Sequence, residues 1–346
     1  MARPLRIERA GVWYHVTARG NERKAIYRSD RDREHFLELL PVMVERFRCR
    51  LYAYVLMENH FHLLLETLEE NLSRALQWLN VSYSVWFNRR YQRVGHLFQG
   101  RFKSVVVEPT VWGLSLSRYL HLNPVRLRRL RSDKGGRSRA RHGVGEQPTA
   151  ELVRQRLQEL RRFPWSSYPA YAGARKAPAW LEPEQVLSLG GGRPAQWCRN
   201  YRQDCEAAVR EGITEVPWDH LKGGLILGSA EFIAEWREKI GPGPVGDAAR
   251  KALQARPTWK QVIEVIEKLK KESWREFRDR RGDEGRELAM YLGRQYCGLK
   301  LQELADQVES GSPMSVSAAL KRFAQRLGTT PALARQLREA KSRLNI

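Results

Sequence analysis

Alternating and periodic hydrophobic positions divide the first third of the chain into short strands and amphipathic helices. β-Branched and aromatic residues crowd four short runs, as is typical of strands. Between them, apolar residues recur at helical spacing, and Pro124 ends the last helix. The predicted strands are 12–17, 51–56, 60–66 and 102–107, and the predicted helices are 30–48, 72–91 and 111–123.

The order of these elements is strand, helix, strand, strand, helix, strand and a further helix. It is the order of the ferredoxin-like (RRM-like) split βαβ arrangement. The sequence therefore predicts an α+β domain with an antiparallel sheet and its helices on one face. The opposite face would then be free to bind a ligand.

Beyond residue 126, the composition changes. Arginines crowd a Gly- and Ser-containing stretch that ends near Pro148, which is typical of a flexible basic arm. Short helical segments interrupted by prolines follow, and Gly241 to Pro244 indicates a hinge. The predicted regions are a first domain at 1–130, a basic linker at 131–150, a helical and irregular accessory region at 151–240, and a helical region at 241–346.

The C-terminal region has the pattern of a helix-turn-helix. A helix at 286–296, a short helix at 301–308 and a helix at 315–327 are separated by turns. A plain helical bundle is the alternative. As a recognition helix, the last of these would present Ser315, Ser317 and Lys321 to the major groove.

The net charge of the chain indicates which classes of partner it can bind. Its 346 residues contain 61 Lys and Arg against 39 Asp and Glu, a formal net charge of +22. Such an excess favours a polyanion, with nucleic acid ahead of an anionic membrane surface. We find no apolar run that could span a bilayer and no signal peptide, and the four cysteines have no metal-site spacing. We therefore expect a cytoplasmic, nucleoid-associated protein with ordinary reduced thiols.

Two histidines on the third strand are the first candidates for chemistry. His60 and His62 lie two residues apart, so their imidazoles share one face of the strand, about 7 Å apart, and can converge on a divalent metal. Histidines at this spacing are more often incidental. Glu58 and Asn59 supply polar groups that can orient them. On the last predicted helix, Tyr119 and Asn123 lie four residues apart and share one face.

Phosphodiester cleavage could use a metal-binding histidine pair together with a nearby tyrosine. A metal neutralises a phosphate oxygen, and a tyrosine phenolate attacks phosphorus to give a covalent phosphotyrosine. The covalent bond retains the energy of the broken linkage, so strands can be rejoined. A core position is the ordinary alternative for Tyr119. We interpret His15 as a sheet residue rather than a partner of the metal site, and His121 as pointing away from it.

Basic residues near these elements are candidate phosphate contacts, with a solvated charged edge as the alternative. These candidates are Arg19, Arg23, Arg101, Lys103, Arg126, Arg128 and Arg129.

Several runs of the sequence carry a resemblance to known proteins. They are Trp13–Asn21, His60–His62, Gly95–Ser104, Arg118–Arg126, Pro164–Tyr168, Gly298–Ala305 and Ser315–Leu320. The runs in about residues 1–130 resemble the single-tyrosine HUH transposases, and more narrowly the REP-associated tyrosine transposases. The two C-terminal runs are similar to the DNA-binding domain of the replication initiator DnaA. In place of that domain's Asp-His-Ser-Thr signature, this chain has Ser-Pro-Met-Ser at 312–315.

The resemblance implies roles for individual residues. His60, His62 and Asn123 would hold Mg²⁺ or Mn²⁺, and Tyr119 would become 5′-phosphotyrosyl while releasing a 3′-hydroxyl. The substrate would be single-stranded DNA folded into REP-type hairpins, with duplex DNA bound through the helix-turn-helix. A monomer is favoured over a dimer. Two alternatives are a catalytically silent hairpin-binding regulator or architectural protein, and a hydrolytic phosphodiesterase that uses the histidines directly.

Overall fold

A computed structural model of the chain describes most of its residues and divides it into two compact units, Met1–Leu253 and Gln254–Ile346. Arg128, Arg129 and almost all of the predicted basic linker lie outside the described residues. The described residues are 6–126, 149–211, 217–240, 253, 257–280, 282–297, 299, 301–309, 312–327 and 329–344.

A five-stranded sheet organises the first unit, and its strand order is β2-β3-β1-β4-β5. The first four strands pair antiparallel, in the order of a split βαβ domain, and β5 adds to β4 in parallel. The predicted α+β class, the four strands and their ferredoxin-like order are therefore confirmed, whereas β5 was not predicted. The strands are β1 Val12–Arg19, β2 Cys49–Met57, β3 His60–Thr67, β4 Lys103–Val107 and β5 Ile226–Leu227.

Two long helices cover one face of this sheet, as predicted. They are α1, Asp30–Arg46, and α2, Leu72–Arg90. Helix α1 begins after a capping box formed by Ser29 and Asp32, and Ser29 is its N-cap.

The opposite face of the sheet is also covered, so the prediction of a free face was wrong. Helix α3, Pro109–His121, packs there with residues from the 150–211 region. The physical reason is that this face is itself apolar, with Val55, Leu64 and Val107 buried on it. The remaining helices of the unit are α4 Ala150–Arg162, α5 Tyr168–Tyr171, α6 Pro183–Ser188, α7 Trp197–Glu211 and α8 Ala230–Lys239.

The run from Trp165 to Ser167 protects the edge of β2. The backbone N–H of Leu56 donates to the Trp165 carbonyl at 2.8 Å, and that of Ser167 donates to the Tyr54 carbonyl at 3.0 Å. An edge strand with unpaired backbone groups would otherwise invite association with another chain.

The described residues of the second unit form helices joined by turns, with no strand among them. On its helix α13, Val316, Ala319 and Phe323 are buried, while Ser315 and Lys321 are exposed and Ser317 is half-buried. The helix-turn-helix function of this unit stays a prediction. The helices are α9 Trp259–Lys270, α10 Trp274–Phe277, α11 Glu284–Leu292, α12 Leu301–Gln307, α13 Pro313–Leu327 and α14 Pro331–Arg343.

Across the residues that the structure describes, no helix has both the length and the apolar character needed to cross a membrane.

Gly20 lies where two of the motif runs meet, at the end of β1. Its N–H donates to the Asn59 carbonyl at 2.8 Å, and the N–H of Asn21 donates to the Leu97 carbonyl at the same distance. A Cβ atom on Gly20 would lie 2.2 Å from the backbone oxygen of Lys24. Backbone must therefore move to admit any side chain here.

We expect Gly20→Ala to lower the free energy of unfolding by about 1–3 kcal/mol, the usual cost of overpacking. Thermal denaturation would measure the loss, with Asn21→Ala as the control because the Asn21 side chain is exposed. Equal melting temperatures for the two variants would contradict the expectation.

Candidate active site

Strand register brings the histidines together on one face of the sheet. His60 lies opposite Arg19 and His62 lies opposite Thr17 across the β1–β3 pair. Because directly paired residues share a face, His15, two residues before Thr17, lies on this face as well. The rings of His60 and His62 are 5.0 Å apart between centroids and nearly perpendicular.

The orientation of His60 is fixed by a chain of hydrogen bonds. The Asn59 amide nitrogen donates to the Arg23 carbonyl at 2.8 Å, and this contact determines which way the amide points. The Asn59 amide oxygen, which can only accept, lies 2.7 Å from Nδ1 of His60. Nδ1 must therefore carry the proton, and Nε2 keeps its lone pair for a metal.

His62 has a buried histidine as its partner. Its Nδ1 lies 2.8 Å from Nε2 of His15. Burial lowers the pKa of His15 to about 3, and burial together with the neighbouring charges holds the pKa of His62 well below its usual range. Burial, with a contribution from Arg19, lowers the pKa of His60 to about 4. All three rings are neutral at physiological pH, which is the form that binds metals.

Tyr119 lies directly beside this pair. Its ring centroid is 6.3 Å from that of His62, with the two rings nearly perpendicular. The Arg126 guanidinium carbon lies 4.1 Å from the Tyr119 ring centroid, so a cation covers the phenol. Trp218 packs edge-on against the same ring at 5.2 Å. The structure thus brings the predicted nucleophile and the predicted metal ligand together from α3 and β3.

Asn123 lies one turn beyond Tyr119, in a short 3₁₀ turn after α3. Its amide nitrogen donates to the Tyr119 carbonyl at 2.9 Å and to the Leu120 carbonyl at 3.3 Å. Only the amide oxygen is then available as a ligand atom. The predicted site therefore has two imidazole nitrogens and one amide oxygen.

This donor set suits a divalent ion that completes its coordination with water and phosphate oxygens. It differs from a protein-only metal cluster. Within the described ranges, no group of three or more His, Cys, Asp or Glu residues could hold a metal ion. The chemistry of the set fits the predicted ion, provided that a ligand phosphate takes part.

The predicted phosphate contacts differ in their position relative to the histidine-bearing face of the sheet. Arg19 and Lys103 are exposed; Arg19 lies opposite His60, and Lys103 lies opposite Thr17, on the face that carries the histidines. Arg23 is exposed in the loop whose carbonyl fixes Asn59. Arg101 is also exposed, and its positive charge contributes to lowering the pKa of Arg6.

Two contacts at the site were not predicted from the sequence. His15 is a strand residue, as interpreted, yet it also hydrogen-bonds to His62. The ring of Trp218 packs against the rings of both His15 and Tyr119. Trp218 lies in a short turn far along the chain, and no local pattern signals its position. The predicted strand at 12–17 could have suggested His15 only if the cross-strand register had been known.

His121 points away from the site, as predicted, into a buried polar network. Its Nδ1 lies 2.7 Å from the Tyr201 hydroxyl, and its Nε2 lies 2.7 Å from the Ser167 hydroxyl. Tyr201 in turn contacts the Ser117 hydroxyl at 3.0 Å. The network joins α3, which carries Tyr119, to α7 and to the segment on the edge of β2.

Part of the first unit also resembles a known protein family in sequence. Residues 9–122 match the family described as Transposase IS200 like. The match covers 114 of the 346 residues and shows that this segment is similar to IS200-like transposases.

A solved structure, described as that of a REP-associated tyrosine transposase bound to a REP hairpin, is similar with 15% identity and a TM-score of 0.34. The similarity covers 53% of this chain and 92% of that chain. No curated protein matches.

Proposed function

We propose that this protein is a metal-dependent enzyme that nicks and rejoins single-stranded DNA at REP-type hairpins through a 5′-phosphotyrosine on Tyr119. The observation that carries the proposal is the packing of the Tyr119 ring against His62. The similarity of residues 9–122 to a transposase family supports the reaction class. The hairpin substrate rests on the sequence motifs.

The side chains would divide the work as follows. Nε2 of His60, Nε2 of His62 and the Asn123 oxygen would hold Mg²⁺ or Mn²⁺, which supplies charge neutralisation at a phosphate oxygen when bound. The Tyr119 oxygen attacks phosphorus and loses its proton to solvent. The bond to the 3′-oxygen breaks, and that oxygen takes up a proton as the 3′-hydroxyl leaves. Arg126 stabilises the phenolate that forms.

DNA binding would draw on the charge of the chain. The net charge of +22 favours phosphate contacts, and Arg19, Arg23 and Lys103 are exposed near the histidines. The second unit would bind duplex DNA through α13. We propose that the protein acts as a monomer.

A denaturing gel tests the proposal. Wild-type protein with a labelled REP-type hairpin oligonucleotide and Mn²⁺ should give a cleaved strand and a protein–DNA adduct that survives denaturation. Cleavage without any adduct would favour a hydrolytic phosphodiesterase, and binding without cleavage would favour a silent regulator. Either outcome contradicts the proposal.

The contact between His15 and His62 gives a separate prediction. His15→Leu removes the partner that keeps the proton on Nδ1 of His62, so the Mn²⁺ concentration for half-maximal cleavage should rise about 10–100-fold. His15→Gln offers an acceptor at a similar position and should recover part of the loss. Identical Mn²⁺ dependence for wild type and His15→Leu would contradict the assigned role.

A further inference from the structure

A charged cleft lies among α4, α5 and α7, in the accessory region to which the sequence assigned no role. It has a volume of about 520 Å³, and its charged lining residues are Arg161, Arg202, Glu206 and Arg210. Arg202, Glu206 and Arg210 follow one another at four-residue spacing, so they share one face of α7. Three arginines against one glutamate leave the cleft with a net positive charge.

The single glutamate holds two of the arginines in place. Nε and Nη2 of Arg161 both donate to the Glu206 carboxylate at 2.8 Å, and Nη2 of Arg210 donates to it at 3.0 Å. These contacts lower the pKa of Glu206, so it stays ionised. Each guanidinium has five N–H donors, so both have donors beyond those used on Glu206. A fixed fork of this kind matches the oxygens of a phosphate group.

Arg202 and Tyr168 provide a second, independent observation. Arg202 is exposed beside the paired arginines and makes no ion pair with any residue in the described part of the chain. Tyr168 also lines the cleft and is only 2% exposed. Its buried hydroxyl lacks a hydrogen-bond partner among the described residues. A buried hydroxyl without a partner is costly, so the cleft has an unused donor that an incoming oxygen can satisfy.

We propose that this cleft binds a phosphate group of the DNA backbone, outside the candidate active site. Arg202 would meet the phosphate first, and the outer N–H groups of Arg161 and Arg210 would complete its contacts. Such a contact positions DNA without reading its sequence. The proposal rests on the proposed function only in taking DNA as the ligand.

Binding measured without cleavage tests the cleft separately from the active site. Tyr119→Phe protein without divalent metal would be titrated with a labelled hairpin oligonucleotide over a range of salt concentrations. Adding Arg202→Ala should weaken binding about 3–10-fold and reduce the slope of log K against log [salt] by about 0.7–0.9, the value for one phosphate. Arg162→Ala is the matched control, because Arg162 is an exposed neighbour of Arg161 that does not line the cleft.

A variant that is expected to increase hairpin affinity strengthens the test. Glu206→Gln removes the only negative charge of the cleft and should tighten hairpin binding, with melting temperature measured to confirm folding. If Arg202→Ala behaves like Arg162→Ala, the proposal is wrong. If inorganic phosphate stabilises the protein in an Arg202-dependent way while hairpin affinity is unchanged, the cleft binds a free anion, and the assignment to DNA is overturned.

Discussion

Replacing Tyr119 with phenylalanine is expected to abolish both hairpin cleavage and the covalent adduct. The phenol oxygen is the proposed nucleophile, and no water-based route can retain the bond energy that rejoining needs. We expect the rate to fall at least about 1,000-fold, as when a nucleophile is removed. Hairpin affinity should change little, because the Tyr119 ring and its contacts with His62 and Arg126 are preserved.

A second tyrosine provides the control for this experiment. Tyr296→Phe removes a phenol in the other unit, where the ring contacts Lys341, and should leave cleavage unchanged. Cleavage by Tyr119→Phe protein at more than about 0.1% of the wild-type rate would contradict the proposed chemistry.

Replacing His121 with alanine is expected to produce the largest loss of stability. His121 is fully buried, and its removal leaves a cavity and deprives the Tyr201 and Ser167 hydroxyls of a partner. We expect the free energy of unfolding to fall by about 3–5 kcal/mol. Tyr201→Phe, which removes one hydroxyl, should cost about 1–2 kcal/mol. Urea denaturation of both variants would measure these losses.

The pH dependence of the same variant gives a further test. Burial lowers the pKa of His121 to about 3, so protons bind preferentially to the unfolded chain, where a histidine pKa is about 6.5. The contribution of neutral His121 is therefore complete above about pH 6.5 and is lost as pH falls towards 3, by up to about 1.4 kcal/mol per pH unit. The difference between wild type and His121→Ala should narrow accordingly.

Exposed His96 provides the control for His121. His96→Ala should change the unfolding free energy by less than about 0.5 kcal/mol at every pH. A difference between wild type and His121→Ala that does not vary between pH 4 and pH 7 would contradict the buried, neutral state of His121.

The elements of the first domain were predictable because their signals are local. The four strands and three helices follow from residue periodicity, which depends on neighbours in sequence. The covering of the second sheet face was not predictable in this way. It depends on how the 150–211 region packs against Val55, Leu64 and Val107, and no spacing rule encodes that packing.

The candidate site also combines features that the local sequence predicts with features that depend on tertiary packing. Alternation along β3 places His60 and His62 on one face, and helical spacing relates Tyr119 to Asn123. Adjacency in sequence also suggested Asn59 as a partner of the histidines. The approach of Tyr119 to His62 and the contact of His15 with His62 depend on tertiary packing and on cross-strand register. The motif resemblance suggested that Tyr119 approaches His62, whereas the hydrogen bond between His15 and His62 required the structure.

The central claim is that Tyr119 bonds to DNA phosphorus, and mass spectrometry of the covalent complex tests it most directly. Wild-type protein would react with a single-stranded hairpin in Mn²⁺, then be digested with nuclease and trypsin. Cleavage after Arg118 and Arg126 releases residues 119–126 as one peptide. We predict a nucleotide phosphate on Tyr119 in that peptide. Cleaved DNA with this peptide unmodified, or with the adduct on another residue, would contradict the claim.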